Sequence, residues 1–229
     1  MIGSLEPLQA KIGYHFQTPA LLEQALTHCS CTQESPEITD NQRLEFLGDA
    51  VLSMILAESI FLQFPDEREG HLAQCRSVLA KGAFLADIAR RLQLPEHLRM
   101  SESERNNAGH DRDAALEDAL EAVIGAIYLD SDYQQTRECV LAWYGDLPSV
   151  LQLQLAHDNP KGRLQEWTQA QGRIQPAYIL IGESGPGHAK KFEVEVRIEG
   201  QAQGHGTGSS KKDAEEAAAR DALSKLGRL

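Results

Sequence analysis

The sequence predicts a multidomain protein: an all-α domain over residues 1–152, a linker at 153–160, and an α+β domain of order α-β-β-β-α over 161–229. Three observations carry this reading. Apolar residues recur at helical spacing through the first two thirds of the chain, with no strand-like alternation before about residue 175. Beyond that point the spacing changes to period two. The charge changes as well: residues 1–157 hold 11 Lys and Arg against 24 Asp and Glu, a balance of −13, whereas residues 158–229 hold 11 against 10, a balance of +1. Two pieces so different in charge suggest two domains with two tasks.

Taken in order, Leu5, Leu8 and Ile12 set a first helix. Leu21, Leu22, Ala25 and Leu26 set a second behind Pro19, a favourable first-turn residue. Residues 31–40, CTQESPEITD, read as a polar loop. A long helix follows from about Asn41 to Phe64, stopped by Pro65. Another runs from about His71 to Leu94, stopped by Pro95 and open to a break near Gly82. Residues 101–110 read as a second polar loop, and two more helices cover about 111–129 and 132–144. Asn159-Pro160 and Gly162 mark a short connection. Residues 161–171 are helical. Residues 177–183 are rich in Tyr, Ile and Leu. In KKFEVEVRIEG, 190–200, Phe192, Val194, Val196 and Ile198 alternate with Glu193, Glu195 and Arg197, the pattern of a strand covered on one face only. A weaker strand at 201–207 and a strong amphipathic helix from Ser210 to Leu226 complete the α+β layer.

Composition sets the outer limits. With 41% hydrophobic and 24% charged residues, whole-chain disorder is excluded. No apolar run approaches the ~20 residues of a membrane span. The N-terminus lacks a basic patch followed by an apolar stretch, so no secretory signal and no membrane partner are expected. Cys29, Cys31, Cys75 and Cys139 have neither CxxC nor zinc spacing and read as free thiols in a reducing cytoplasm. The net charge of −12 argues at first against a nucleic-acid partner, and an acidic surface is explained by solubility alone.

The chemistry is carried by carboxylates. In Asn41-Gln-Arg-Leu-Glu-Phe-Leu-Gly-Asp49, Glu45 and Asp49 share one helix face among Leu44, Phe46, Leu47, Val51 and Leu52. Asp118 and Glu121 lie three apart on a second helix, again among apolar residues. Two inward acidic pairs could bring four carboxylates together, and a divalent cation would balance them. Oxygen donors without a neighbouring His or Cys favour Mg²⁺ or Mn²⁺ over Zn²⁺. Spacing alone leaves the alternative open that these are ordinary solvated helix acids, which is how Glu58 and Glu117 read. His28 reads as structural rather than catalytic, and Cys29 and Cys31 as packing residues.

The run NQRLEFLGDAVL at 41–52 closely resembles the signature of the ribonuclease III family. IGYHFQTPALLEQALTHCS (12–30), EGHLAQCRSVLA (69–80) and LEDALEAVIGAIYLDS (116–131) resemble further segments of the family in order and spacing. NPKGRLQEW, GPGHAKKFEVEV and SSKKDAEEAAA resemble its double-stranded-RNA-binding domain. The resemblance implies an all-α endonuclease domain followed by an α+β RNA-binding domain, and an enzyme that hydrolyses double-stranded RNA with Mg²⁺, Mn²⁺ substituting. It implies products with 5′-phosphates and short 3′ overhangs, and substrates among ribosomal and messenger RNA precursors. It assigns Glu45, Asp118 and Glu121 as metal ligands, Asp49 and Glu121 as catalytic, and Glu69 as an additional acidic position. It implies a homodimer with one cut per strand and no small-molecule cofactor. Phe46 is placed at the dimer interface, although the residue fits a helix core equally well. The position often Glu in the family is Gln42 here, one negative charge fewer. Phosphodiester hydrolysis needs an in-line water and charge stabilisation on attacking and leaving oxygens, which carboxylate-held divalent ions supply.

Duplex RNA is recognised by shape, phosphates and 2′-hydroxyls. In the C-terminal domain Gln165 and Glu166 on the first helix suit a minor groove. The turn Gly185-Pro186-Gly187-His188 projects His188 towards a second groove. Ser210, Lys211 and Lys212 open the last helix where phosphates would lie. Two rivals remain at this level: a catalytically silent duplex-RNA-binding protein, against which the four acids argue, and a metal-dependent hydrolase of small phosphate esters, which leaves residues 158–229 without a purpose.

Overall fold

The computed structural model describes residues 5–35, 37–186 and 190–227. The chain divides into two compact units, Met1–Leu151 and Gln152–Leu229.

The described part of the first unit is helical, with one isolated bridge between Thr27 and Arg99. Its helices are α1 (Glu6–Ile12), α2 (Pro19–Ala25), α3 (Ser30–Glu34), α4 (Gln42–Gln63), α5 (Glu69–Leu79), α6 (Gly82–Arg91), α7 (Glu102–Asn106), α8 (Asp113–Asp130), α9 (Tyr133–Tyr144) and α10 (Leu147–Asp158), the last running across the division. The core is built around α8, in which every residue from Ala122 to Ile127 is buried. Leu52, Ile55, Leu56 and Ile60 of α4 and Leu85, Ile88 and Ala89 of α6 are buried with it. Polar ties close the unit. The Trp143 indole N–H donates to the Ile12 carbonyl at 2.8 Å, and the Tyr144 hydroxyl donates to the Leu79 carbonyl at 2.9 Å. The Asp130 carboxylate accepts from the Tyr14 hydroxyl and from the N–H groups of Gln17 and Thr18, pinning the entry to α2.

Two local expectations are corrected. The two polar loops hold short helices, α3 and α7. The second begins where the Ser101 hydroxyl accepts from the Glu104 N–H, a cap hidden inside a polar run. The stretch at 71–94 does break near Gly82, which opens the second of its two helices. The linker expected at 153–160 is largely helical: α10 runs from Leu147 through Asp158, and the next helix begins at Pro160.

In the second unit α11 (Pro160–Ala170) precedes β1 (Ala177–Ser184), β2 (Lys191–Ile198) and β3 (Gln201–Gly208), and α12 (Lys211–Lys225) ends it. The strands form an antiparallel sheet in the order β1-β2-β3, with Val196 opposite Tyr178 and Gly204. Val194, Val196 and Ile198 point into a core with Leu164 of α11 and the Ala214, Ala218, Ala219, Ala222 and Leu223 face of α12. Every second residue of β3 from Gly204 is glycine. A Cβ at Gly206 would lie 2.1 Å from the Ala218 amide nitrogen. The bare strand and the alanine face of α12 therefore approach backbone to backbone. No helix among the described residues is long and apolar enough to cross a membrane.

Candidate active site

The site is made by a crossing of α4 over α8 at two glycines. A Cβ on Gly48 would sit 1.7 Å from the Glu121 carbonyl oxygen, and one on Gly125 would sit 2.3 Å from the Leu44 carbonyl oxygen. The two backbones are in contact. Glu45 and Asp49, three before and one after Gly48, are thereby set against Glu121, four before Gly125. Gly costs roughly 1 kcal/mol relative to Ala inside a helix, so two glycines within strong helices are a sequence signal of close approach, one that the reading of the acids alone passed over.

The carboxylates act on one another. Burial pushes the Glu121 carboxyl up to about 8, with Asp49, Glu117, Glu45 and Asp118 adding repulsion. Burial and the neighbouring acids also raise Glu45, Asp118 first among them. Asp118 is raised by burial, with His28 pulling the other way. Glu117, expected to be a solvated acid, is half-buried and raised by burial and by Asp118 and Asp49, so it joins the cluster as a fifth carboxylate. Its side chain lies over Gly82 at the start of α6, where a Cβ would come within 2.2 Å of Oε2. Glu58, also expected to be solvated, accepts from the Tyr133 hydroxyl and the Arg137 Nε.

Hard oxygen donors that repel one another in a half-buried place fit a divalent ion of the Mg²⁺ type. No three Asp, Glu, His or Cys side chains among the described residues stand at metal-ligand spacing.

The remaining predicted positions fall in several places. Glu69 is the first residue of α5, exposed in a groove between α4 and α5 with Glu58, Phe61, Glu67, Leu72 and Arg76. None of the four central acids lines that groove. Gln42 is exposed at the start of α4, its N–H donating to Asp40. Phe46 is 81% exposed, which removes the helix-core alternative. On the second unit Gln165, Glu166, Lys211 and Lys212 are exposed, and Lys212 stands 3.9 Å from Glu216. The Ser210 hydroxyl accepts from the Asp213 N–H while Asp213 accepts from the Ser210 N–H, so this serine is the cap of α12. His188 lies outside the described residues.

An all-helical unit built over a carboxylate cluster, followed by an α-β-β-β-α unit with lysines at the mouth of its last helix, is the layout of a metal-dependent nuclease that works on duplex RNA. Residues 18–146 match the family described as Ribonuclease-III-like, and residues 160–226 match the Double-stranded RNA binding motif. The chain is 42% identical over 228 residues to Ribonuclease 3 of Hahella chejuensis, covering 99% of both proteins. It is 44% identical over 219 residues to Ribonuclease 3 of Xylella fastidiosa strain M12, covering 95% of this chain and 94% of that one. The nuclease domain of Campylobacter jejuni ribonuclease III superposes with a TM-score of 0.58 at 38% identity, over 61% of this chain and 95% of that one. The chain belongs to the ribonuclease III family. It is an endoribonuclease, a hydrolase of double-stranded RNA active in RNA processing, and its family depends on divalent metal.

Proposed function

We propose that the protein works as a homodimer in which each copy cuts one strand of a duplex, leaving 5′-phosphates and short 3′ overhangs on ribosomal and messenger RNA precursors in the cytoplasm. Residues 1–152 form the nuclease, 153–160 the connection and 161–229 the module that holds the duplex. Glu45, Asp118 and Glu121 hold Mg²⁺, or Mn²⁺ in its place, and Asp49 and Glu121 are the catalytic pair. When bound, the ion supplies stabilisation of charge on the attacking and leaving oxygens. The protein's own contribution is a rigid crossing that fixes where those carboxylates start. Glu69, in the groove with Phe61, is the additional acidic position. The observation that carries this reading is Glu121, half-buried with four other carboxylates acting on it, an arrangement that a cation relieves at neutral pH. Long duplex RNA should be cut in Mg²⁺ and left whole in EDTA; duplex that stays whole in both refutes it.

The homodimer is supported by the outer side of α4, where Phe46, Met54 and Phe61 are exposed at 81%, 58% and 66%. The Campylobacter jejuni nuclease domain has a region involved in dimer formation. Phe46→Ala should leave the single chain's fold intact and weaken pairing by about 3–5 kcal/mol, the cost of losing a buried aromatic. Sedimentation at low concentration reads the result, and an undiminished dimer would take Phe46 out of the interface.

For the binding module, Lys211→Ala with Lys212→Ala should weaken duplex binding and reduce the slope of log affinity against log salt by roughly one per lost phosphate contact. Cleavage should suffer most at physiological salt and persist at low salt, since the carboxylates are untouched. Binding isotherms at three salt concentrations that superpose on the wild type would return both lysines to an ordinary solvated face.

A further inference from the structure

We propose that Lys161 is a positioning residue of the duplex-binding module: by joining Glu215 of α12 and the ring of Tyr178 on β1, it fixes the roll of α11 and so sets where Gln165 stands relative to Lys212. This rests on the duplex-holding role proposed above for residues 161–229.

The need for such a tie follows from how α11 is seated. Pro160, Leu164 and Thr168 are its buried residues, with Trp167 partly buried beside them. The α12 face against which α11 packs is made largely of alanines. So smooth a seat has few ridges, and shape alone resists a roll of the helix weakly. Lys161 lies at the polar flank of the buried stripe. Gln165 is four residues on and shares its face, so whatever holds Lys161 also sets the direction of Gln165.

Lys161 is held on two sides. Its ammonium pairs with Glu215 Oε2, and it stands 4.6 Å from the centroid of the Tyr178 ring, a cation–π contact. The Tyr178 hydroxyl is buried without a hydrogen-bond partner, so the polar hold on that ring is at its face. Fully exposed ion pairs between mobile side chains contribute little. Here the lysine and glutamate side chains are 38% and 30% exposed, against 82% for Lys212. Three elements, α11, α12 and β1, meet at one ammonium.

The tie borders the proposed duplex contacts. A cavity of about 390 Å³ is lined by Lys161 and Gln165 of α11, by Tyr178 of β1, and by Lys212 and Glu216 of α12. Gln165 and Lys212 are thus walls of one cavity, and the Lys161–Glu215 pair bridges the helices that carry them. The next acid, Glu216, stays with cations of its own helix, 3.9 Å from Lys212 and 3.6 Å from Arg220. A duplex presents its groove and phosphates at set spacings, so a contact that has rolled away is lost.

The test is binding of labelled duplex RNA by full-length protein in EDTA, well below the melting temperature. Glu215→Gln should weaken binding about fivefold, although removing an acid beside a polyanion site ordinarily strengthens it. Lys161→Met should lose as much, with the slope of log affinity against log salt unchanged, because the ammonium touches no phosphate. Lys161→Arg keeps both the ion pair and the ring contact and should bind as the wild type does. Gln165→Ala should cost less in the Glu215→Gln background than in the wild type. A merely structural role would lower the melting temperature and leave the affinity of the folded protein unmoved. Glu215→Gln that binds as tightly as the wild type or tighter overturns the proposal, and it decides alone if Lys161→Met fails to fold. A salt slope reduced by about one in Lys161→Met overturns it too, making Lys161 a phosphate contact. Gln165→Ala is the control: wild-type affinity there refutes the duplex-contact reading of α11 itself, a result distinct from failure of the Lys161 tie alone.

Discussion

Glu121→Gln is expected to reduce duplex cleavage at least a hundredfold while leaving duplex binding near wild type. The substitution keeps the volume of the side chain and removes one negative charge from the most strongly perturbed carboxylate of the cluster. Charge stabilisation by a held ion is worth several kcal/mol in phosphoryl chemistry, and each 1.36 kcal/mol is a factor of ten in rate. The proposed duplex contacts lie in residues 161–229 and are untouched. The same variant carries a thermal signature. The folded Glu121 carboxyl is raised from 4.5 to about 8, so the native state binds that proton more tightly than the unfolded chain does. The contribution to stability is fully present below pH 4.5 and is lost as pH rises through about 8. Discounted for partial exposure, it is worth about 1–2 kcal/mol, or roughly 5 °C in a unit of this size. Metal-free wild-type protein should therefore melt lower at pH 8 than at pH 5.5. Glu121→Gln should flatten that slope, and Mg²⁺ should restore the wild type most at the higher pH. A variant that cuts at near wild-type rate removes Glu121 from the site.

Gly48→Ala should be the most damaging single methyl in the protein's first unit. The added carbon would start 1.7 Å from the Glu121 carbonyl oxygen and 2.5 Å from its carbon. Both are backbone atoms, so no side chain can turn aside, and α4 and α8 must separate. Overpacking usually costs about 1–3 kcal/mol and more where backbones meet. About 3 kcal/mol corresponds to a fall in Tm of roughly 6–12 °C. The separation also draws Glu45 and Asp49 away from Glu121, so cleavage should fall further than the folded fraction explains. Gly70→Ala is the comparison, since nothing lies within 4 Å of a Cβ there, and it should be neutral or slightly stabilising. Melting curves followed by circular dichroism decide the matter, and Gly48→Ala melting within 2 °C of wild type would mean that the crossing is looser than described.

The longer elements and the two acidic pairs can be read from the residues alone, because both are local patterns, whereas the short helices α3 and α7 and the helix α10 cannot. α4, α8, α9 and α12 follow from apolar spacing, and β2 from its alternation. The Glu45–Asp49 and Asp118–Glu121 pairs stand out because apolar neighbours on each side mark the faces they occupy. What local pattern leaves open is what a face is buried against. Phe46 reads alike as core or as interface, and only the packed unit, which leaves it 81% exposed, separates the two. β3 reads as a weak strand because glycines replace the usual branched residues, and the reason lies in α12, whose alanine face needs them absent. Glu117 differs from any solvated helix acid only because Asp118 and Asp49 act on it. The Ser30 N–H donates to His28 Nδ1 while the Ser30 hydroxyl accepts from the N–H of Ser101, about seventy residues further along the chain. Close approach, charge convergence and long-range hydrogen bonding are properties of pairs of segments distant along the chain, so they follow from packing and not from local pattern.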